Sequence, residues 1–121
     1  MAPLRVAQIG TRHGHAAGKM ASMLANPDCE VIGVAPDNAG RVADGDKNST
    51  AYEGVRWFDS VEELLADPSI EMVAVESHND ENLGHCRMVI EAGKHCWLDK
   101  PAGDDWEEWQ AVFHRAQMKK R

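Results

Sequence analysis

The chain has 121 residues, of which 43% are hydrophobic and 27% charged, so it is long enough for one domain of ordinary globular composition. Its formal charge of −7 argues against a nucleic-acid-binding surface, and no run of about 18 apolar residues is present that could span a membrane. The N-terminus lacks the apolar segment of a secretion signal, and the three cysteines share no CxxC spacing, so a cytoplasmic location is expected.

The first third of the chain predicts the opening of a βαβ unit. Leu4–Ile9 is an apolar run that ends at Gly10, and a polar loop with a further glycine follows it. Ala16–Ala25 has the spacing of an amphipathic helix, with Leu24 on its apolar face, and Cys29–Ala35 is a second apolar run. Continuous rather than alternating hydrophobicity is typical of a parallel strand that is covered on both faces.

The rest of the chain alternates between predicted strands and helices. The elements are a short helix near residues 41–44, a strand at 55–58, a helix capped by Ser60, a strand at 70–75, a helix at 81–92, a strand starting at His95 and a helix capped by Asp104. With right-handed crossovers, this order predicts an α/β fold with a doubly wound, Rossmann-like parallel sheet of about five strands in three layers. The last helix is expected to bury an apolar stripe formed by Trp106, Trp109, Val112, Phe113 and Ala116.

The loop after the first strand matches a dinucleotide fingerprint only in part. Gly10 takes the first position of G-x-G-x-x-G, but Arg12 and His15 stand at the second and third, and Gly14 lies one place early. A helix N-terminus attracts anions, and Arg12 can pair directly with a phosphate. On these residues alone, an ordinary turn between a strand and a helix is an equal alternative.

Asp37 follows the second strand, where an acid commonly binds ribose hydroxyls. Such an acid repels a 2′-phosphate, so the sequence favours NAD over NADP; the alternative is that Asp37 and Asn38 only form a turn. His13 and His15 lack a nearby third ligand, so no metal site is predicted.

The last predicted strand ends in Asp99-Lys100-Pro101. Ligands bind at the carboxyl ends of parallel strands, and a lysine placed there can hold a proton, an anion or a carbonyl group. The alternative is a surface turn whose lysine contacts only solvent.

Three stretches resemble the Gfo/Idh/MocA family of oxidoreductases. They are Arg5–Gly10 with its loop, Ser60–Val75, and Glu91–His95 leading into Asp99-Lys100-Pro101. The last is similar to the family's A-G-K-H…E-K-P signature, with Asp99 in place of the usual Glu. The similarity extends over nearly all 121 residues, and it implies that residues 1–121 form a single NAD(P)-binding Rossmann-like domain.

The resemblance also implies site residues. Lys100 would be the catalytic residue beside the nicotinamide, where it orients the substrate and assists proton transfer. NAD or NADP would be bound by Gly10, Arg12, His13, Gly14, Asp37, Ser77, His78, Asn79, Asp99 and Pro101. Glu76-Ser77-His78 replaces the family's small-Thr-Pro run and places an anion near the path of the cofactor.

Members of this family carry a second α/β domain with the substrate pocket and the oligomer contact, and nothing in residues 1–121 resembles it. The full-length family implies hydride transfer on a sugar-like or polyol substrate, whereas this domain alone is not expected to catalyse it. Whether the chain is an enzyme is left open. The alternatives are a non-catalytic nucleotide-binding module and an interaction module that forms a homo-oligomer through the surface left by the missing domain.

Overall fold

The computed structural model describes residues 2–12, 14–43, 45–46, 48–99, 103 and 105–120. Its elements in chain order are β1 (Leu4–Ile9), α1 (Ala16–Ala25), β2 (Cys29–Ala35), a 3₁₀ helix (Ser49–Tyr52), α2 (Val61–Ala66), β3 (Met72–Val75), α3 (Asn79–Glu91), β4 (His95–Leu98) and α4 (Trp106–Lys119). Within these ranges no helix has the length and apolar character needed to cross a membrane.

The four strands form one parallel sheet in the order β2-β1-β3-β4. β1 is central, since it pairs with β2 on one side and with β3 on the other. The strand order therefore reverses between β1 and β3, and in open parallel sheets such a reversal creates a crevice at the carboxyl ends of the strands. The predicted fold class, a doubly wound Rossmann-like α/β domain, is confirmed.

Alternate residues of β1 belong to two separate cores, one on each face of the sheet. Ala7 packs in one core with Leu64 of α2 and Val89 of α3, whereas Val6 packs in the other with Met20 of α1. Because both faces are covered, most residues of β1 are apolar, as its sequence indicates.

The third predicted strand is reduced to a single parallel bridge between Val34 and Trp57, so the sheet has four strands rather than about five. Val34 N–H donates to the Arg56 carbonyl at 2.9 Å, and Phe58 N–H donates to the Val34 carbonyl at 2.8 Å. The register of β2 against β1 shifts at Ile32, and such a bulge disrupts regular pairing of the bulged strand. Residues 55–58 therefore pair with β2 over too short a length to form a strand.

The short helix predicted near residues 41–44 is wrong for the described part of that range, residues 41–43. Val42 is buried, and its backbone N–H donates to the Thr11 hydroxyl at 3.1 Å, which fixes this segment against the loop after β1. The helical turn lies later, at Ser49–Tyr52.

Gly93 ends α3 and begins the connection to β4. Gly93 has a φ of +80°, its N–H donates to the Ile90 carbonyl at 2.9 Å, and Lys94 N–H donates to the Val89 carbonyl at 3.2 Å. This pair of bonds is a Schellman motif, which reverses the chain into β4.

The buried face predicted for α4 is wrong in part. Val112 is buried, but Trp106 is 67% exposed and Phe113 52% exposed, because among the described residues the apolar contacts of α4 are with α3 and β4. Trp106, Trp109 and Phe113 instead stack on one another, with ring centroids 5.2 and 5.3 Å apart. The cap of α4 is Asp105, and the predicted cap, Asp104, lies outside the described residues.

Two further side chains are more exposed than their sequence patterns indicate. Leu24, predicted on the buried face of α1, is 48% exposed. β4 is half-buried, with Trp97 43% exposed, since β4 is the edge strand of the described sheet.

Gly10 gives the first test of the fold. An ideal Cβ on Gly10 would lie 2.5 Å from the Glu76 carbonyl oxygen, and Gly10 has a φ of +91°. We expect Gly10→Ala to lower the free energy of unfolding by about 2–4 kcal/mol in urea denaturation, because both the clash and the φ strain the backbone.

Gly18→Ala is the matched control. A Cβ on Gly18, inside α1, would meet nothing within 4 Å, so this change should raise the free energy of unfolding by roughly 0.5–1 kcal/mol. A Gly10→Ala variant as stable as the wild type would contradict the close approach between β1 and β3.

Candidate functional site

The carboxyl ends of β1, β2 and β3 meet at Gly10. Gly10 N–H donates to the Ala35 carbonyl at 2.8 Å, and Glu76 N–H donates to the Ile9 carbonyl at 2.7 Å. No side chain separates Gly10 from the backbone of Glu76 and Ser77, since even a Cβ on Gly10 would lie 2.8 Å from Ser77 N. The crevice predicted by the strand order therefore opens beside Gly10.

The N-terminus of α1 follows directly from this crevice and is suited to an anion. Its N-cap residue, His15, makes no side-chain cap bond, and the first turn has no acidic residue. By contrast, α2 and α4 are capped by the side chains of Ser60 and Asp105. Uncapped N–H groups at the positive end of a helix dipole attract phosphate groups, so the described residues here fit a dinucleotide diphosphate.

Gln8, which sequence reasoning missed, supports this turn from the core. Its side chain is buried, and its Nε2 atom lies 3.0 Å from the Gly10 carbonyl, 3.2 Å from the Ala16 carbonyl and 3.1 Å from the Tyr52 hydroxyl. Burial raises the pKa of Tyr52 to about 12, so its hydroxyl stays protonated at neutral pH. A lone amide in an apolar strand was the sequence signal for this contact.

Thr11 and Arg12 connect the loop after β1 to the loop after β2. The Thr11 hydroxyl accepts from Val42 N–H at 3.1 Å and donates to the Gly40 carbonyl at 3.4 Å. Arg12 Nη1 donates to the Ala39 carbonyl at 3.1 Å and the residue is exposed. A guanidinium carries five N–H donors, so one bond to a carbonyl leaves donors available for an anion.

Asp37 is buried, and its carboxylate binds backbone N–H groups on two different loops. Oδ1 accepts from Ala39 N–H at 2.9 Å, and Oδ2 accepts from His78 N–H at 3.2 Å. The bond to Ala39 forms the local turn that was the alternative interpretation of Asp37. The bond to His78 brings the end of β2 next to the start of α3. Each carboxylate oxygen has a further lone pair that can accept a hydroxyl proton.

Two further acidic side chains line a cavity together with Asp37. A cavity of about 260 Å³ is lined by Asp37, Asp59 and Glu62 together with His85 of α3. The Nδ1 atom of His85 lies 2.6 Å from the Ser77 hydroxyl. The cavity therefore offers hydrogen-bond acceptors for amino or hydroxyl groups and is unfavourable for a phosphate.

A buried ion pair lies at the ends of β3 and β4. Lys19 Nζ is 2.8 Å from Glu76 Oε1, 3.7 Å from Asp99 Oδ2 and 3.8 Å from the centroid of the Trp97 ring. Burial raises the pKa of Glu76, Lys19 opposes this rise and Asp99 adds to it. The sequence indicated an anion at Glu76 but not its partner, although Lys19 is the only charged residue of α1.

The structure brings most of the predicted site residues to one edge of the sheet. Gly14 and Asp99 line a common cavity of about 490 Å³ with Lys19. The predicted residues that lie at this edge are Gly10, Arg12, Gly14, Asp37, Ser77, His78, Asn79 and Asp99. The other three, His13, Lys100 and Pro101, lie outside the described residues.

Comparisons with known proteins agree with the fold described above. The model of the Gfo/Idh/MocA oxidoreductase family, an NAD-binding Rossmann fold, matches residues 4–121. The uncharacterized oxidoreductase ORF334 of Rhizobium meliloti is 33% identical over 87 residues, which are 72% of this chain and 25% of that protein.

Two solved structures show the same fold. Biliverdin reductase of Synechocystis sp. PCC 6803, in complex with biliverdin and NADP+, matches with a TM-score of 0.84 and 22% identity, over 99% of this chain and 36% of its own. UDP-N-acetylglucosamine 3-dehydrogenase GnnA of Acidithiobacillus ferrooxidans matches with a TM-score of 0.76 and 25% identity, over 99% of this chain and 36% of its own. The stretches matched in the curated relatives are between 20% and 25% of those proteins' length.

Asp37 provides a test of the site's internal bonding. Asp37→Asn should lower the free energy of unfolding by about 1–3 kcal/mol, because the amide can accept only one of the two backbone N–H bonds and turns a donor toward the other. Urea denaturation measures the change. The control Asp59→Asn, at an exposed position, should change it by less than about 0.5 kcal/mol. Equal stability of the Asp37→Asn variant and the wild type would contradict the two bonds.

Proposed function

Because the chain belongs to the Gfo/Idh/MocA oxidoreductase family, we propose that residues 1–121 form one NAD(P)-binding domain of a hydride-transfer enzyme. The observation that carries the proposal is the N-terminus of α1 beside Gly10, where the N-cap side chain makes no cap bond and the first turn of the helix holds no acidic residue. Backbone N–H groups there, with the Arg12 guanidinium, bind the diphosphate. When bound, a nicotinamide cofactor supplies a hydride acceptor or donor.

The remaining described residues take the other parts of the dinucleotide. The Asp37 carboxylate accepts hydrogen bonds from the hydroxyls of the adenosine ribose. Ser77, His78 and Asn79 line the part of the site that holds the nicotinamide half of the dinucleotide. Support comes from the bond between Asp37 and His78 N–H, which holds the end of β2 next to the start of α3 at the carboxyl edge of the sheet.

Lys100 is proposed as the catalytic residue, with Asp99 and Pro101 as its neighbours. The assignment of Lys100, Pro101 and His13 comes from sequence similarity alone. It is supported by Asp99, which lies 3.7 Å from Lys19 and so places the end of β4 at the same edge as the crevice.

Substrate binding requires more than this domain. The solved relatives are about three times as long as the stretch matched here, since the match covers 36% of each. We therefore place the pocket for a sugar-like or polyol substrate in a further domain, without which hydride transfer does not occur.

NAD is proposed as the preferred cofactor over NADP. The carboxylates of Asp37, Asp59 and Glu62 line one cavity at the end of β2, and together they repel a 2′-phosphate.

Arg12→Ala tests the diphosphate site. It should weaken NADH binding by about 1–3 kcal/mol in a titration followed by tryptophan fluorescence, because a charge-assisted bond to phosphate is lost. The control Arg5→Ala removes a guanidinium at the opposite, amino end of β1 and should leave the affinity unchanged. Parallel titration with NADPH should give weaker binding than NADH.

No response of the wild type to NADH, NADPH or adenine nucleotides would contradict the proposed function. If the Arg12→Ala variant instead binds NADH as tightly as the wild type, Arg12 is not part of the diphosphate site.

A second candidate, a self-associating interaction module, is favoured by the apolar surface around α4. A groove of about 420 Å³ lies between α3, β4 and α4 and is lined by Leu83, Ile90, Leu98 and Phe113. Trp106 stands exposed at the start of α4. Contiguous apolar surface of this kind is typical of an interaction site.

Phe113→Glu tests this candidate. Sedimentation velocity over a range of micromolar concentrations should show that the wild type forms dimers. The Phe113→Glu variant should remain monomeric, because the new carboxylate cannot be buried in an apolar contact. Leu24→Glu, an equally exposed apolar position on α1, is the control and should not change the association. A wild type that is monomeric at every concentration would contradict self-association.

A further inference from the structure

The ion pair between Lys19 and Glu76 is unusual for its burial. The Glu76 side chain has no exposed surface, and the Lys19 side chain is 10% exposed. Removing two charges from water costs more free energy than such a pair usually returns, so a buried ion pair is weak evidence for a stabilising role. A pair of this kind at the edge of a binding crevice therefore needs a different explanation.

The carboxylate of Glu76 lies beside α1, 2.8 Å from Lys19 Nζ, and Lys19 lines the same cavity as Gly14 in the turn to which the diphosphate is assigned. The Glu76 backbone contacts Gly10 so closely that a Cβ on Gly10 would be 2.5 Å from the Glu76 carbonyl oxygen. An isolated carboxylate at this position would repel an anionic ligand, and poor access to water would strengthen the repulsion.

We propose, on the basis of the function proposed above, that Lys19 is a positioning residue that neutralises Glu76 and so permits a dinucleotide diphosphate to bind beside it. Lys19 does not bind the cofactor. It acts through the Glu76 carboxylate, 2.8 Å from its Nζ atom.

The surroundings of Lys19 fix its ammonium in this place. The ring of Trp97 lies 3.8 Å from Nζ, and Asp99 Oδ2 lies 3.7 Å away, so the cation contacts residues from both β3 and β4. Lys19 lies in the first turn of α1, which begins at Ala16. Its ammonium is therefore held close to the helix N-terminus to which the diphosphate is assigned. Lys19 therefore contacts the acidic side chains that follow both β3 and β4.

A double-mutant cycle tests the proposal, with NADH affinity measured by isothermal titration calorimetry at about pH 8 and thermal unfolding recorded for each variant. Lys19→Met should weaken NADH binding tenfold or more at this pH, because Glu76 then either stays an uncompensated carboxylate or must take up a proton before the diphosphate binds. Lys19→Met combined with Glu76→Gln should return the affinity to within about threefold of the wild type, and Lys19→Arg should retain it.

The outcomes separate this proposal from the one on which it rests. If the wild type binds no dinucleotide, both fail. If the wild type binds NADH and Lys19→Met binds equally well, or if the double variant remains as weak as Lys19→Met, only the role of Lys19 fails.

Loss of folding in the Lys19→Met variant would still leave a decisive measurement. Glu76→Gln alone keeps the cation and removes the carboxylate, so its affinity for NADH should equal that of the wild type or exceed it severalfold. A tenfold loss in this variant would overturn the proposal.

Discussion

The central strand determines where this protein can bind a ligand. β1 is hydrogen-bonded to β2 and β3 up to its last residues. The bonds from Gly10 N–H to the Ala35 carbonyl and from Glu76 N–H to the Ile9 carbonyl fix the backbone at the point where the chain leaves the sheet. Only glycine fits there, since its φ is +91° and the Glu76 carbonyl occupies the place of a Cβ. The position of the crevice beside Gly10 follows from that constraint.

Side chains around this turn bond to the backbone and so fix the site before any ligand arrives. Gln8 contacts the carbonyls of Gly10 and Ala16, at the two ends of the loop, and Thr11 and Asp37 bind backbone groups of the loop after β2. A binding site whose loops are already ordered loses less conformational entropy when the ligand binds. The proposed dinucleotide affinity thus depends on buried polar contacts as much as on the residues that touch the ligand.

The sequence predicted the parts of the fold that local patterns determine. The bounds of β1, α1 and β2 are those predicted, because continuous apolar runs and a glycine or proline at their ends are local signals. The strand at 55–58 and the buried face of α4 were wrong because both depend on what packs beside them, namely the bulge in β2 and the edge position of β4. The Lys19–Glu76 pair joins a helix and a strand end that are distant in sequence, and no spacing predicts such a contact.

Binding of a dinucleotide at the turn after β1 is the central claim, and amide chemical-shift mapping of the ¹⁵N-labelled protein with NADH tests it most directly. If a dinucleotide binds there, saturable shifts should be concentrated at residues 10–12, 14–19, 37–42 and 76–79, with residues 106–119 unaffected. Shifts confined to the groove between α3, β4 and α4, or no shifts at millimolar NADH, would contradict it.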